Sequence, residues 1–161
     1  MKKAIVLILI AIVAVSSAFA FRFVSVGIET GNGLLASADM EIADNFDVYA
    51  RLGYVGYFNL VGYFNISGGA QYKVGEFKLG KTPVAVKPGA QMNFDFRSDD
   101  GWNYFIFEMF GTCSFQFEAG SLTGFLRPGI GFFASSTRYG DYKSKDNGFR
   151  WCVETGVAYL F

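Results

Sequence analysis

Residues 84–97, VAVKPGAQMNFDFR, alternate in character without a lapse. Val84, Val86, Pro88, Ala90, Met92, Phe94 and Phe96 are apolar, whereas Ala85, Lys87, Gly89, Gln91, Asn93, Asp95 and Arg97 are small or polar. Successive side chains of a β-strand point to opposite faces, so this stretch reads as a strand between two unlike environments. A soluble sheet alternates in the same way, and one strand decides little. Repetition decides more. The pattern recurs over residues 22–30, 34–42, 46–55, 63–73, 103–118, 123–135 and 149–161. With 84–97 that predicts eight strands.

The apolar face carries the bulk, and here composition matters. The chain has 19 Phe, 9 Tyr and 20 Gly but 3 Pro and no His. In a soluble barrel the apolar face points inward, where that many phenylalanines would be overpacked. Large residues outside, with charges and glycines inside, suit a barrel whose solvent is lipid. Each strand is about as long as a tilted membrane-crossing β-strand, roughly 9–11 residues. Backbone groups in lipid must pair internally, so such a sheet must close. The expected fold is all-β: an eight-stranded antiparallel up-and-down transmembrane β-barrel.

Residues 1–20 stand apart from this pattern. Met1, Lys2 and Lys3 form a short positive region, residues 4–15 are an unbroken apolar run, and Ala18-Phe19-Ala20 is a cleavage site of the A-x-A kind. That is the layout of a secretory signal peptide, leaving 21–161 as one barrel domain close to neutral charge. No basic run or arginine-rich patch points to nucleic acid.

Short connections fit a meander. Turns are expected at 30–33, 43–45, 74–82, 97–101, 119–121 and 135–148. The boundary within 54–66 is the least defined, because VGYFNL (55–60) and VGYFNI (61–66) form a tandem repeat. Pro88 and Pro128 oppose the strand reading, since proline removes a ladder hydrogen bond. Both sit in similar local sequences on strands of one direction, and a bulge at one level of the barrel is expected there.

The chain closes on Glu154-Thr155-Gly156-Val157-Ala158-Tyr159-Leu160-Phe161. Parity puts Tyr159 and Phe161 on the outer face, with Glu154 and Gly156 inside. The spacing of Glu154, Gly156, Tyr159 and Phe161 resembles the C-terminal assembly signal of bacterial outer-membrane β-barrels. The mature chain as a whole resembles the small eight-stranded barrels of the OmpX and OmpA-membrane-domain type, with OmpW-like barrels as neighbours. That resemblance implies the outer membrane as location, its lipid and the barrel-assembly machinery as partners, and a monomer. It does not identify an extracellular ligand.

Several other signals have plainer explanations. GNGLLA (31–36) matches a dinucleotide fingerprint, but a strand follows where a helix is required, so residues 31–33 read as a hairpin turn. Asn65-Ile66-Ser67 matches a glycosylation sequon in mid-strand and is read as coincidence. The inward charges Glu29, Asp39, Glu41, Arg51, Lys87, Arg97, Glu108, Arg127, Arg150 and Glu154 could line a pore. Eight strands leave room for side chains and little else, which favours a salt-bridged plug. Barrel enzymes of similar size, as families, place a histidine as base; this chain has none, and a hydroxyl without a base is poorly activated. No cluster has metal-ligand spacing, and no cofactor is expected.

The expected role is therefore a non-enzymatic envelope scaffold or surface-interaction protein. Segments 30–33, 56–61, 97–101 and 135–148 would face outside. The last carries Arg138, Tyr139, Asp141, Tyr142, Lys143 and Lys145 as candidate contacts. A narrow pore for small solutes is the alternative, and a soluble lipid-binding barrel a weaker third. Cys113 and Cys152 fall on opposite faces of strands separated by a third, so they should be unpaired.

Overall fold

The computed structural model describes residues 22–30, 33–57 and 61–160. Residues 1–21 (which include the expected export segment 1–20), Gly31 and Asn32, residues 58–60, and Phe161 lie outside the described residues. Nine strands follow in order: β1 (Arg22–Thr30), β2 (Gly33–Ala43), β3 (Phe46–Tyr57), β4 (Val61–Tyr72), β5 (Gly75–Leu79), β6 (Thr82–Asp99), β7 (Trp102–Ala119), β8 (Leu122–Tyr139) and β9 (Tyr142–Leu160). They form one antiparallel sheet in the order β4-β3-β2-β1-β9-β8-β7-β6-β5, in which the first strand, β1, pairs with the last, β9. A further antiparallel pairing joins β4 to β6, from Phe64 opposite Phe96 to Gln71 opposite Gly89. Each of the eight long strands thus has a partner on both sides.

Register around this ring is defined by named partners. Thr155 of β9 lies opposite Thr30, which leads through Leu34, Tyr54, Phe64, Phe96, Phe105 and Ser136 to Lys145, again on β9. The path returns ten residues from its start. Such a stagger tilts the strands by about 40° to the axis of the ring.

The eight expected strands are present, and the differences lie at their ends. Residues 74–82, expected to be a turn, instead hold β5 and a tight hairpin to β6 at Gly80. Strand β5 continues the line of β4 after a break at Lys73-Val74, with its register against β6 moved by one residue. The break falls opposite Pro88, whose missing N–H removes a ladder bond there. Pro128 behaves differently. The β7–β8 pairing lapses at Cys113 and Ser114 but resumes in the same register, so Pro128 leaves a gap and no bulge.

The larger correction concerns 135–148, expected to be a long polar loop. Strands β8 and β9 continue to Tyr139 and Tyr142, paired residue by residue, and only Gly140 and Asp141 remain as the turn. The polarity of this segment suggests a loop, but a hairpin exposed on both faces is polar on both. At the β6–β7 connection Asp100 and Gly101 both have positive φ, 44° and 83°, the two-residue turn that matches strand twist. Strands β6 to β9 are 18 or 19 residues long, against 9 to 12 in β1 to β4.

The two faces are inverted relative to a water-soluble domain. Arg51, Asn65, Gln91, Asn93, Asp95, Glu108, Ser114 and Arg127 are buried, whereas Phe149, Trp151 and Ile130 are 82, 76 and 68% exposed. The inner face is not purely polar, however: Tyr49, Phe110 and Phe125 are buried there. Both cysteines are free, on β7 and β9 with β8 between.

The β4–β6 pairing closes the ring and is open to a direct test. Ala70 and Ala90 are cross-strand partners, within the Cα separation that a disulfide spans. With Cys113 and Cys152 replaced by Ser, Ala70→Cys/Ala90→Cys should oxidise to one intramolecular crosslink, seen by non-reducing gel and intact mass. The diagonal pair Ala70→Cys/Met92→Cys should not. No crosslink in the first variant would break the ring between β4 and β6.

Candidate functional site

Inside the ring the polar side chains converge at mid-height on one carboxylate. Glu154, on β9, accepts from Arg51 of β3 at 2.7 Å, from Arg127 of β8 at 3.3 Å and from Gln91 of β6 at 2.9 Å. Asn93 links this centre to a second carboxylate: its Oδ1 accepts from Arg51 at 3.0 Å, and its Nδ2 donates to Glu108 at 2.9 Å. Glu108 is also ion-paired with Arg150. Asp95 lies nearby on β6, accepting from Asn65 at 2.5 Å.

Strand geometry explains why these residues meet. Gln91, Asn93 and Asp95 are alternate residues of β6 and share its inner face, as Arg150 and Glu154 do on β9. The cross-strand partners Arg127–Glu154 and Asn93–Glu108 are fixed by register. Arg51 reaches Glu154 from another part of the ring, which only a narrow interior permits. The central carboxylates Glu108, Glu154 and Asp95 are matched in number by Arg51, Arg127 and Arg150.

Aromatic rings support the cations. The Arg127 guanidinium lies 4.2 Å from the Tyr49 ring centroid and 4.6 Å from that of Phe125, within cation–π range. The Tyr49 hydroxyl donates to Gln91 at 3.0 Å. Its ring lies over Gly69, where a Cβ would come within 2.5 Å of the Tyr49 oxygen. This inner-face glycine makes room for an inner-face aromatic. Arg51 and Arg127 are only 2 and 1% exposed.

Of the ten inward charges expected, the cluster unites Arg51, Glu108, Arg127, Arg150 and Glu154. Lys87 sits apart, donating to Asp47 at 2.5 Å. Arg97 lies towards the long-hairpin end, 5.8 Å from the Tyr104 ring. Asp39 and Glu41 are half-buried on the inner parity of β2, and the side chain of Glu29 lies outside the described residues. Sequence parity places Gln91, Asn93 and Asp95 inward without marking them as part of the cluster, and Tyr49 joins them on the inner face. Phe110 and Phe125 were passed over, although the same parity assigns them inward.

The surface candidates divide by strand parity. Arg138, Lys143 and Lys145 are exposed on the outer face of the β8–β9 hairpin, Tyr139 and Tyr142 on its inner face, and Asp141 in the turn. Tyr139 stacks on Trp102 at 4.4 Å, and Trp102 stacks in turn on Tyr104 at 5.9 Å, bracing this hairpin against β7. Of the expected assembly motif, Glu154 is buried and Tyr159 is 52% exposed on the outer face, Gly156 pairs with Phe125 and Glu29, and Phe161 lies outside the described residues.

Among the described residues no group of three or more His, Cys, Asp or Glu is arranged to hold a metal ion. No family model, curated protein or solved structure matches this chain.

Buried and exposed ion pairs predict different mutational costs. Glu154→Ala would strand Arg51 and Arg127 and should cost about 3–5 kcal/mol, the range for breaking a buried pair. Glu76→Ala removes only the exposed Lys73–Glu76 pair and should cost at most about 1 kcal/mol. Equilibrium unfolding in urea compares the two, and equal costs would deny the cluster a structural role.

Proposed function

We propose that this chain is an eight-stranded transmembrane barrel of the bacterial outer membrane. In this reading it is a non-enzymatic scaffold that presents a rigid hairpin surface outside the cell. One observation carries the proposal: the inverted burial. Water offers no reason to bury Arg51 and Arg127 while leaving Phe149 and Trp151 almost bare. Exposing so much apolar surface to water costs roughly 25 cal/mol for each Å², whereas a lipid surround removes that cost. The two-sided pairing of all eight long strands is what a hydrocarbon environment demands.

The scaffold role follows from how the interior is filled. A cluster of hydrogen-bonded charges occupies the middle of a narrow ring, with Arg51 and Arg127 buried and Arg150 partly exposed. That favours a plug over a pore. At about 3.3 Å per residue and a tilt of about 40°, 18-residue strands rise about 45 Å. An apolar barrel band is about 25 Å tall. The ends of β6 to β9 therefore stand clear of the band, and the β8–β9 hairpin is its most polar projection. The C-terminal motif and the resemblance to small outer-membrane barrels agree with this reading, with the barrel-assembly machinery as the partner in biogenesis.

The full chain expressed in a Gram-negative host should fractionate with the outer membrane. It should also migrate differently on a detergent gel with and without boiling. Recovery from the soluble periplasm without detergent would refute the membrane reading. In a planar bilayer the purified protein should give no sustained single-channel conductance. Steady ion-selective steps would replace the scaffold with the narrow-pore alternative. Deleting Phe161 should reduce assembly in cells while leaving refolding into detergent largely intact, and normal insertion of the truncated chain would refute the signal assignment.

A further inference from the structure

We infer that the outer face of the β8–β9 hairpin, through Arg138, Lys143 and Lys145, binds the phosphate groups of lipid in the leaflet around the barrel. The inference rests on the membrane reading above. Its starting point is an electrostatic conflict. Arg138 and Lys143 are direct cross-strand partners, and like charges so placed repel one another. Lys145, two residues from Lys143, adds a third cation on the same face. All three are exposed, and none forms an ion pair among the described residues. The nearest acids in sequence do not relieve the conflict: Asp141 is in the turn, and Asp146 has the opposite parity. A bare cationic trio on a paired two-stranded arm calls for an anion from outside the chain.

Its height on the barrel identifies that anion's source. Lys145 pairs with Ser136, which pairs with Phe105, whose ring lies 5.4 Å from Phe96. Because the tilted pairing line climbs about 3 Å at each strand, Lys145 stands about 6 and 9 Å above this last pair of outward phenylalanines, Phe105 and Phe96. Further from the band, Arg138 pairs with Lys143 on one side and with the polar Asn103 on the other. Below lie Phe132 and Phe149, 6.1 Å apart, and then Trp151. On β9 the change from aromatic to cationic runs over the four residues from Phe149 to Lys145, about 10 Å of height, the depth over which a lipid chain gives way to its headgroup. Arg138 brings a planar fork suited to two phosphate oxygens, and the lysines bring point charges. Lipid is the source because a free anion would require no such placement against the apolar band.

The test uses the full chain folded into phosphatidylcholine vesicles doped with chain-labelled dansyl phosphatidic acid or, separately, chain-labelled dansyl phosphatidylcholine. Trp151, 76% exposed on the same outer face, serves as energy donor. Transfer should favour the phosphatidic acid probe, falling roughly 5-fold in enrichment for each cation removed across Arg138→Gln, Lys143→Gln and Lys145→Gln. Lys78→Gln/Lys81→Gln, at the other end of the barrel, should retain the preference. Equal transfer from both probes in an inserted protein, or equal loss in the Lys78/Lys81 variant, would overturn this inference and leave the membrane reading standing. Full displacement of the probe by millimolar inorganic phosphate would assign the cluster to free phosphate and overturn the lipid source. Failure to insert in any vesicle would refute the membrane reading and this inference together.

Discussion

Every long strand here is obliged to pair on both sides, and the rest of the structure follows from that obligation. An unpaired strand edge presents a row of bare N–H and C=O groups. Such a row is a hazard in water and prohibitive in hydrocarbon. With β1 held between β2 and β9, and β4 between β3 and β6, neither junction leaves a full-length edge. A ring of eight strands must then be narrow, and narrowness decides what its interior holds. There is space for side chains from facing walls to meet, as Arg51 and Glu154 do, and none for a second layer.

The interior solves a problem that the ring creates. Polar residues on the inner face must satisfy one another, because a buried charge without a partner costs several kcal/mol. Glu154 meets this by accepting from three donors on three different strands, and Asn93 by acting as donor and acceptor between two carboxylates. The inner glycines have a matching task. Gly69 leaves space for Tyr49, while Gly131 sits where a Cβ would come within 2.0 Å of the Met109 carbonyl oxygen. Substituting that glycine would force the β7–β8 pairing apart, so it is required by backbone proximity and not by turn conformation.

How much of this was legible depends on the range of the signal. Alternation with period two is local, and it gave all eight long strands and the face of nearly every residue in them. Turn chemistry is local too: Asp100-Gly101 and Ala119-Gly120-Ser121 mark their hairpins. The strand ends failed for a physical reason. Towards the hairpin tip both faces are exposed, the two parities become alike, and the paired residues 135–148 read as a loop. The β5 hairpin was hidden because Val74, Phe77 and Leu79 lie among charged and glycine neighbours too short a run to show a period. The cluster was half legible. Parity brought its charges to one face, but that Arg51 would reach Glu154 while Lys87 went to Asp47 depends on the stagger around the ring, which no single strand encodes. The inner aromatics Phe110 and Phe125 run against the expectation that aromatic bulk marks the outer face, and parity alone is the better guide.

The unequal strand lengths give the barrel a direction around its circumference. Strands β1 to β4 span little more than an apolar band, whereas β6 to β9 continue into hairpins braced by Trp102, Tyr104 and Tyr139. A rim of even height would present short turns all round. This one presents a curved wall on one side only, with aromatic rings on its inner surface and cations on its outer surface. In the proposed membrane setting the two surfaces meet different surroundings, the inner one the space above the plug and the outer one the headgroups. Stacked rings on the inside stiffen the wall, and a stiff wall holds Arg138, Lys143 and Lys145 at a constant height above the last phenylalanines. A flexible loop with the same residues could not fix that height, because its cations would be free to turn away into water. The extension of pairing through residues 135–148, unforeseen from sequence, is what turns three exposed cations into a surface of defined position.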